Sequence, residues 1–258
     1  MNKKINTAIK YQLSNYRHTV LIMYLCVYIV ILLTVLSHYL KDSIRISSSG
    51  GLEFISAITI FVVGLNSFKD NFKFFSANGV SRKTQLCSTV AALSTLSAVF
   101  AFIDTINSII FTHITTYSPM FLQNYGWRFG YSSDFSTVFA SPALTPQILF
   151  ENFLWLMFLY FSISMIGLFI TTLYYRMNKG LKIAVSIAVP VVLINGFEPL
   201  DSYFFAGKIT ASIKTFFNAA FGFLNGYNPY ISMMSMFVFA AVFAALAFLL
   251  ARRAVLKE

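Results

Sequence analysis

Charge is scarce in this chain. Only nine of its 258 residues are Asp or Glu, and charged residues make up 11% of the total against 57% apolar ones. A water-soluble domain needs more polar surface than that, and a mean hydropathy of +0.71 excludes the soluble class. Cysteine is scarcer still: Cys26 and Cys87, each in or beside an apolar run, are too few for a disulfide framework or a cysteine-based metal site. His18, His38 and His113 fall at three separate boundaries of apolar runs, so no three-ligand metal cluster is expected. The G-x-x-x-x-G-K-[ST] phosphate loop is missing, no polar segment is long enough for a nucleotide domain, and no internal repeat is visible. The chain by itself is expected to be neither an enzyme nor a cofactor-binding protein.

What is abundant is long apolar sequence. Runs of membrane-spanning length lie at about 19–40, 52–68, 85–112, 149–175, 181–197 and 230–251. The expected fold is all-α, a single permease-like membrane domain over 1–258 with six crossings. The first run is too long for a cleavable signal and lacks a small-x-small site. The net charge of +10 would suggest nucleic acid for a soluble protein, but its distribution points elsewhere. Fourteen Lys and Arg fall at the N-terminus, at 69–84, at 176–182 and at the C-terminus, and five fall in the intervening segments. The positive-inside rule then places both termini and the 69–84 loop in the cytoplasm of a multi-pass plasma-membrane protein.

Residues 4–17 put Ile5, Ile9, Leu13 and Tyr16 on one helical face, the pattern of an amphipathic interfacial helix ahead of the first crossing. The third run, 28 residues or about 42 Å as a helix, is longer than the hydrocarbon layer. Along it Ser94, Ser97, Ala101, Asp104 and Ser108 form one small, polar stripe that should face protein or water. An ionisable side chain within a span is costly. Asp104 is therefore a candidate intramembrane polar site, either near a substrate path or as a hydrogen bond within the bundle. Glu53, Glu151 and Glu198 read as solvated carboxylates at span boundaries. Pro190 is a candidate kink in the fifth run. Small-xxx-small pairs, Ala184 with Ala188, Ala240 with Ala244 and Ala241 with Ala245, offer close helix approach.

Two outer segments remain. Residues 113–148 should form a loop with short helical pieces and interfacial aromatics. Residues 198–229 carry an apolar stripe of Phe205, Ile209, Ile213, Phe216, Phe217 and Ala220 interrupted by Lys208 and Lys214, which predicts an outer-leaflet re-entrant or interfacial hairpin before the last crossing. On the opposite side, "SFKDNFKFFSANGVSRKTQ" spaces Phe68, Phe72 and Phe75 along one helical face. Gly79 suits a turn with positive φ, and Ser81 can cap the helix that restarts at Arg82 and Lys83. A connection between two spans needs only a few residues. The excess suggests either a docking element for a cytoplasmic partner or an aromatic and cationic contact with lipid.

The amphipathic N-terminus, "NGVSRKT" at 78–84, the outer hairpin ending in "NP" at 228–229 and the terminal "RRAVLKE" together resemble the permease subunit of a type-2 ATP-binding-cassette transporter, the six-span bacterial exporter class. The likeness covers the whole chain as topology and is sharp only at 78–84. It implies that this loop is the coupling helix, with Phe72, Phe75, Asn78, Gly79, Arg82 and Lys83 at the contact with a separate cytoplasmic ATPase subunit that holds ATP and Mg. It also implies a second permease half, identical or a homologous sister chain, and a pathway lined by spans one, two and five. Apolar side chains there suit an amphipathic or hydrophobic cargo such as an antimicrobial or toxin peptide, a drug or a lipid-like molecule. Membrane lipid is an expected partner and nucleic acid is not. Alternatives are an ion-gradient-driven secondary transporter using Asp104 and Pro190, and a non-transporting membrane sensor or scaffold.

Overall fold

A computed structural model describes residues 2–41, 51–114, 117–130, 144–191, 197–205 and 207–252. They form α1 (Asn2–Lys41), α2 (Leu52–Asn66), α3 (Lys69–Ala77), α4 (Arg82–Ile114), α5 (Met120–Tyr125), α6 (Pro146–Arg176), α7 (Lys179–Val191), α8 (Phe197–Phe205), α9 (Lys208–Ala220) and α10 (Pro229–Arg252). Five stretches are long and apolar enough to cross a membrane: Ile5–Leu33, Leu52–Ala77, Arg82–His113, Pro146–Arg176 and Pro229–Arg252. The chain is a helical membrane protein with several crossings. Lipid-facing positions such as Leu21, Ile22, Leu25, Leu32 and Leu33 of α1 are exposed, as apolar side chains can be where the solvent is hydrocarbon.

The central element is α6. It starts where Thr145 accepts a hydrogen bond from the Ile148 N–H (3.4 Å) and Pro146 takes the first helical position. Against it pack α2, α4 and α10. The contact register fixes directions. Glu151 meets Tyr230, Trp155 meets Ser232, Phe158 meets Phe237 and Phe169 meets Phe243, so α10 runs parallel to α6. On a second seam Gln12 meets Ser88, Tyr24 meets Asp104 and Tyr28 meets Asn107, so α1 runs parallel to α4. The Arg82 guanidinium at the start of α4 donates to the carbonyl of Arg252 at the end of α10 (2.7 Å), so these two helices are antiparallel. The C-terminus of α6 and the N-terminus of α10 therefore lie at opposite ends of the bundle.

One expectation changes. The amphipathic segment 4–17 is no separate interfacial helix: it continues without a break into the first crossing, giving one helix of 40 residues or about 60 Å. Its stripe is used, since Tyr16 is buried and Ile9 and Leu13 pack against the core, but it meets protein rather than the interface. Of the fifth run the structure describes 181–191, within the 13-residue α7, none of whose residues is buried, and Phe197 at the start of α8; residues 192–196 lie outside the described ones. Pro190 lies inside α7, one residue before Val191, so the candidate kink falls at the edge of the described residues.

The hairpin expected at 198–229 appears as α8 and α9, which leave Ile209, Ile213, Phe216 and Phe217 exposed. Asp201 on α8 holds it together by accepting from the N–H groups of Ile209 (3.1 Å) and Thr210 (2.7 Å) at the first turn of α9. Burial of this carboxylate works to raise its pKa, but the hydrogen bonds from Thr210 and Ile209 outweigh it, and the net value lies below the usual aspartate range. A depressed folded pKa adds stability that is complete above the unfolded value, about 3.9 for Asp, and is lost as pH falls through the folded one. Hydrogen exchange at Ile209 and Thr210, corrected for intrinsic rates, is accordingly expected to stay slow down to about pH 4 and to accelerate below it. Asp201→Asn should abolish that acid-dependent loss.

Candidate functional site

Two constellations stand out, one at the elbow between α2 and α4 and one inside the bundle. At the elbow, Gly79 has φ of 66° and the Val80 N–H reaches back to the Phe75 carbonyl (2.9 Å), closing α3. The Thr84 N–H donates to Ser81 Oγ (3.2 Å), so the expected turn and cap are both present.

The aromatic face is also present, but it points inward. Phe72 is 1% exposed and Phe75 is 4% exposed. Phe68 and Phe72 stack at 5.1 Å and both meet the edge of Tyr175 on α6, while Phe75 meets Tyr11 of α1 at 5.9 Å. The two rings expected at a partner's surface thus root the elbow in its own bundle. The reason is energetic: burying each ring against helices already tethered nearby gains about 1.5–3 kcal/mol without any association cost. The Asn71 side chain adds a hydrogen bond to the Ser67 carbonyl (2.8 Å). Facing out are Lys69, Asp70, Lys73, Phe74, Ala77, Asn78, Gly79, Ser81, Arg82 and Lys83, four cations to one carboxylate. Four of the six residues assigned to the contact are therefore at the surface and two are beneath it.

The second constellation centres on Asp104, 3% exposed. One carboxylate oxygen accepts from Tyr24 on α1 (2.9 Å) and the other from Tyr160 on α6 (2.6 Å). Tyr160 also donates to the Glu53 backbone carbonyl (3.2 Å), which brings in α2. The Glu53 carboxylate is buried too, accepting from the Tyr117 hydroxyl and from the Met120 N–H (3.2 Å). Around this cluster the polar stripe of α4 is confirmed in part: Ser97, Ala101 and Ser108 are buried with Asp104, whereas Ser94 is exposed. Taking a carboxylate out of water costs several kcal/mol, offset only by well-placed partners. Here those partners are hydroxyls and one backbone N–H, and among the described residues none is cationic. Asp104 thereby ties α1, α4 and α6 at one level.

Glu53 and Glu151 are not the solvated boundary carboxylates that their positions suggested; both are buried, and Glu151 accepts from Gln147 (3.0 Å) and Tyr230 (3.0 Å). The Glu198 side chain lies outside the described residues. Sequence reasoning also missed Tyr24 and Tyr160, since a tyrosine in an apolar run gives no sign that its hydroxyl has a buried acceptor, and Tyr117, which lies in the loop after the third run. A nearly apolar groove of about 640 Å³ runs between α9 and α10, with Tyr230 at its mouth and the Arg128 guanidinium 5.2 Å from that ring. Among the described residues no group of three His, Cys, Asp or Glu is placed to hold a metal ion.

Compared with known proteins, the chain gives no significant match to a family model, a curated protein or a solved structure.

Proposed function

We propose that this chain is the membrane-spanning subunit of an ATP-driven exporter, moved by a separate cytoplasmic ATPase that grips the elbow formed by α3, the Gly79 turn and the start of α4. The observation that carries the reading is the build of that elbow: an aromatic root locked against α1 and α6, and a tip of amide, glycine and cations left uncovered. A load applied at such a tip is passed to three crossings at once, because packed elements move as units. A passive connection needs no such root.

The topology is consistent with this. Since α10 runs parallel to α6, the chain between Arg176 and Pro229 has to travel from one end of the bundle to the other; this return is the sixth crossing of the proposal, and α7 is its described part. Six crossings return both termini to the side of the elbow, in keeping with the Lys and Arg distribution that puts this side in the cytoplasm. The hairpin of α8 and α9 then sits in the outer leaflet. The uncovered apolar surfaces of α1 and α7 offer a face for a second permease half and for a hydrophobic or amphipathic cargo. ATP and Mg belong to the partner subunit. The ion-gradient reading draws less support, because both oxygens of Asp104 are taken by tyrosines.

The test is copurification of the chain from its native membrane with an ATPase subunit carrying the phosphate loop that this chain lacks. Charge reversal at the tip, Arg82→Glu with Lys83→Glu, is expected to lower ATPase retention at least tenfold while the permease elutes as before, and Lys83→Glu alone, which keeps the Arg82 bond to the Arg252 carbonyl, is expected to weaken retention with melting unchanged. Full retention by this double variant would remove the elbow as the grip.

A further inference from the structure

At the elbow end of the bundle the last residues of two crossings, Arg176 of α6 and Arg252 of α10, line one cavity of about 460 Å³ together with Leu249 and Leu250. The backbone at Arg252 is also held from α4, since the Arg82 guanidinium donates to its carbonyl (2.7 Å). Arg176 and Arg252 are both exposed, so water and salt screen their like charges, and an anion between them would be met by two guanidinium groups at once. Among the described residues no carboxylate forms an ion pair with Arg82, Arg176 or Arg252; the hydrogen bond recorded for Arg82 goes to a neutral carbonyl.

The composition of the wall narrows the anion. Two arginines and two leucines make a site half charged and half apolar, and it lies where two crossings end together, at the level of the membrane–water boundary. Guanidinium pairs recognise phosphate oxygens through planar, multiply donating contacts. Leucines beside them suit the first methylenes of an acyl chain. Basic pockets between spans at this level are suited to anionic headgroups.

We infer that this cavity is a binding site for the phosphate headgroup of an anionic phospholipid, held by Arg176 and Arg252, with its chain emerging over Leu249 and Leu250. The site stands independently of the exporter reading: it requires only that α6 and α10 end at a lipid boundary. Bound there, the lipid would meet both guanidinium groups and pin the ends of α6 and α10 beside the start of α4.

The probe is native mass spectrometry and thermal melting of the purified full chain in detergent, titrated with phosphatidylglycerol, with phosphatidylcholine or with inorganic phosphate. Phosphatidylglycerol is expected to be retained at least tenfold more strongly than phosphatidylcholine and to raise the melting temperature, with inorganic phosphate doing neither at the same concentration. Arg176→Gln with Arg252→Gln should abolish that preference. Leu249→Glu, at a position already exposed, places a carboxylate at the mouth and should do the same with both arginines in place, which covers the case of a double variant that fails to fold. Equal retention of the two lipids, or an undiminished preference in Leu249→Glu, overturns the site. Inorganic phosphate matching phosphatidylglycerol overturns its assignment to lipid.

Discussion

Gly167→Val is expected to destabilise the bundle by about 3 kcal/mol, the upper end of what forced overpacking costs. A Cβ at Gly167 would lie 2.7 Å from the Phe61 carbonyl oxygen and 3.0 Å from the Leu65 nitrogen; one at Gly64 would lie 2.5 Å from the Ser164 carbonyl oxygen. These neighbours are backbone, which no side-chain rotation can move aside. The clash can be relieved only by separating α2 from α6. In lipid this matters more than in water, because helix association rests on close contact rather than on an escape from water. Gly180→Val is the control, for nothing lies within 4 Å of its Cβ. Unfolding in mixed micelles with increasing dodecyl sulfate should show an early transition for Gly167→Val and a near-native one for Gly180→Val. If the two variants unfold together, the α2–α6 seam is not as close as described.

Asp104→Ala carries the second large effect. It deprives two buried hydroxyls, Tyr24 and Tyr160, of their shortest acceptor, and an unsatisfied buried group costs about 1–3 kcal/mol. Partial relief is at hand, since Tyr160 keeps the Glu53 carbonyl (3.2 Å) and Tyr24 keeps the Phe100 carbonyl (3.4 Å). The expected net loss is therefore about 2–3 kcal/mol rather than the full sum. Asp104→Asn retains one acceptor oxygen and should lose less than half as much. A double-mutant cycle between Tyr24→Phe and Asp104→Asn should return a coupling of at least about 0.5 kcal/mol. Transport separates the two roles weighed for this residue. If the exporter proposal holds, Asp104 as a clasp between α1, α4 and α6 predicts that Asn-substituted protein that folds also exports, per folded molecule, near the native rate. A variant that melts normally yet fails to transport would put the carboxylate on the pathway instead.

Both effects arise from contacts between elements, and that is where sequence reasoning thinned out. The glycine at 79 could be assigned because a turn between two helices asks for positive φ locally. Gly64 and Gly167 ask for nothing locally; each matters only because the other lies across a seam from it. In the same way, the spacing of Phe68, Phe72 and Phe75 established that they share a face, but periodicity is blind to what covers that face. Glu53 and Glu151 sit at span boundaries in the sequence, where water is the default partner. Tyr117 and Tyr230, each more than sixty residues away, replace the water.

Alone, the sequence determined the solvent in which this protein folds, the approximate position of its long apolar helices, the asymmetry of its cations, the Gly79 turn with its Ser81 cap and the inward stripe around Asp104. Each follows from local composition or helical period, which neighbouring residues carry in themselves. Only the tertiary structure decided that the first amphipathic segment belongs to the first crossing, that α10 runs beside α6 in the same direction, that the elbow's rings face in while its cations face out, and that Arg176 and Arg252 from distant parts of the chain line one cavity. Those outcomes depend on which surfaces are close enough in space to bury one another, and helical period leaves that choice open.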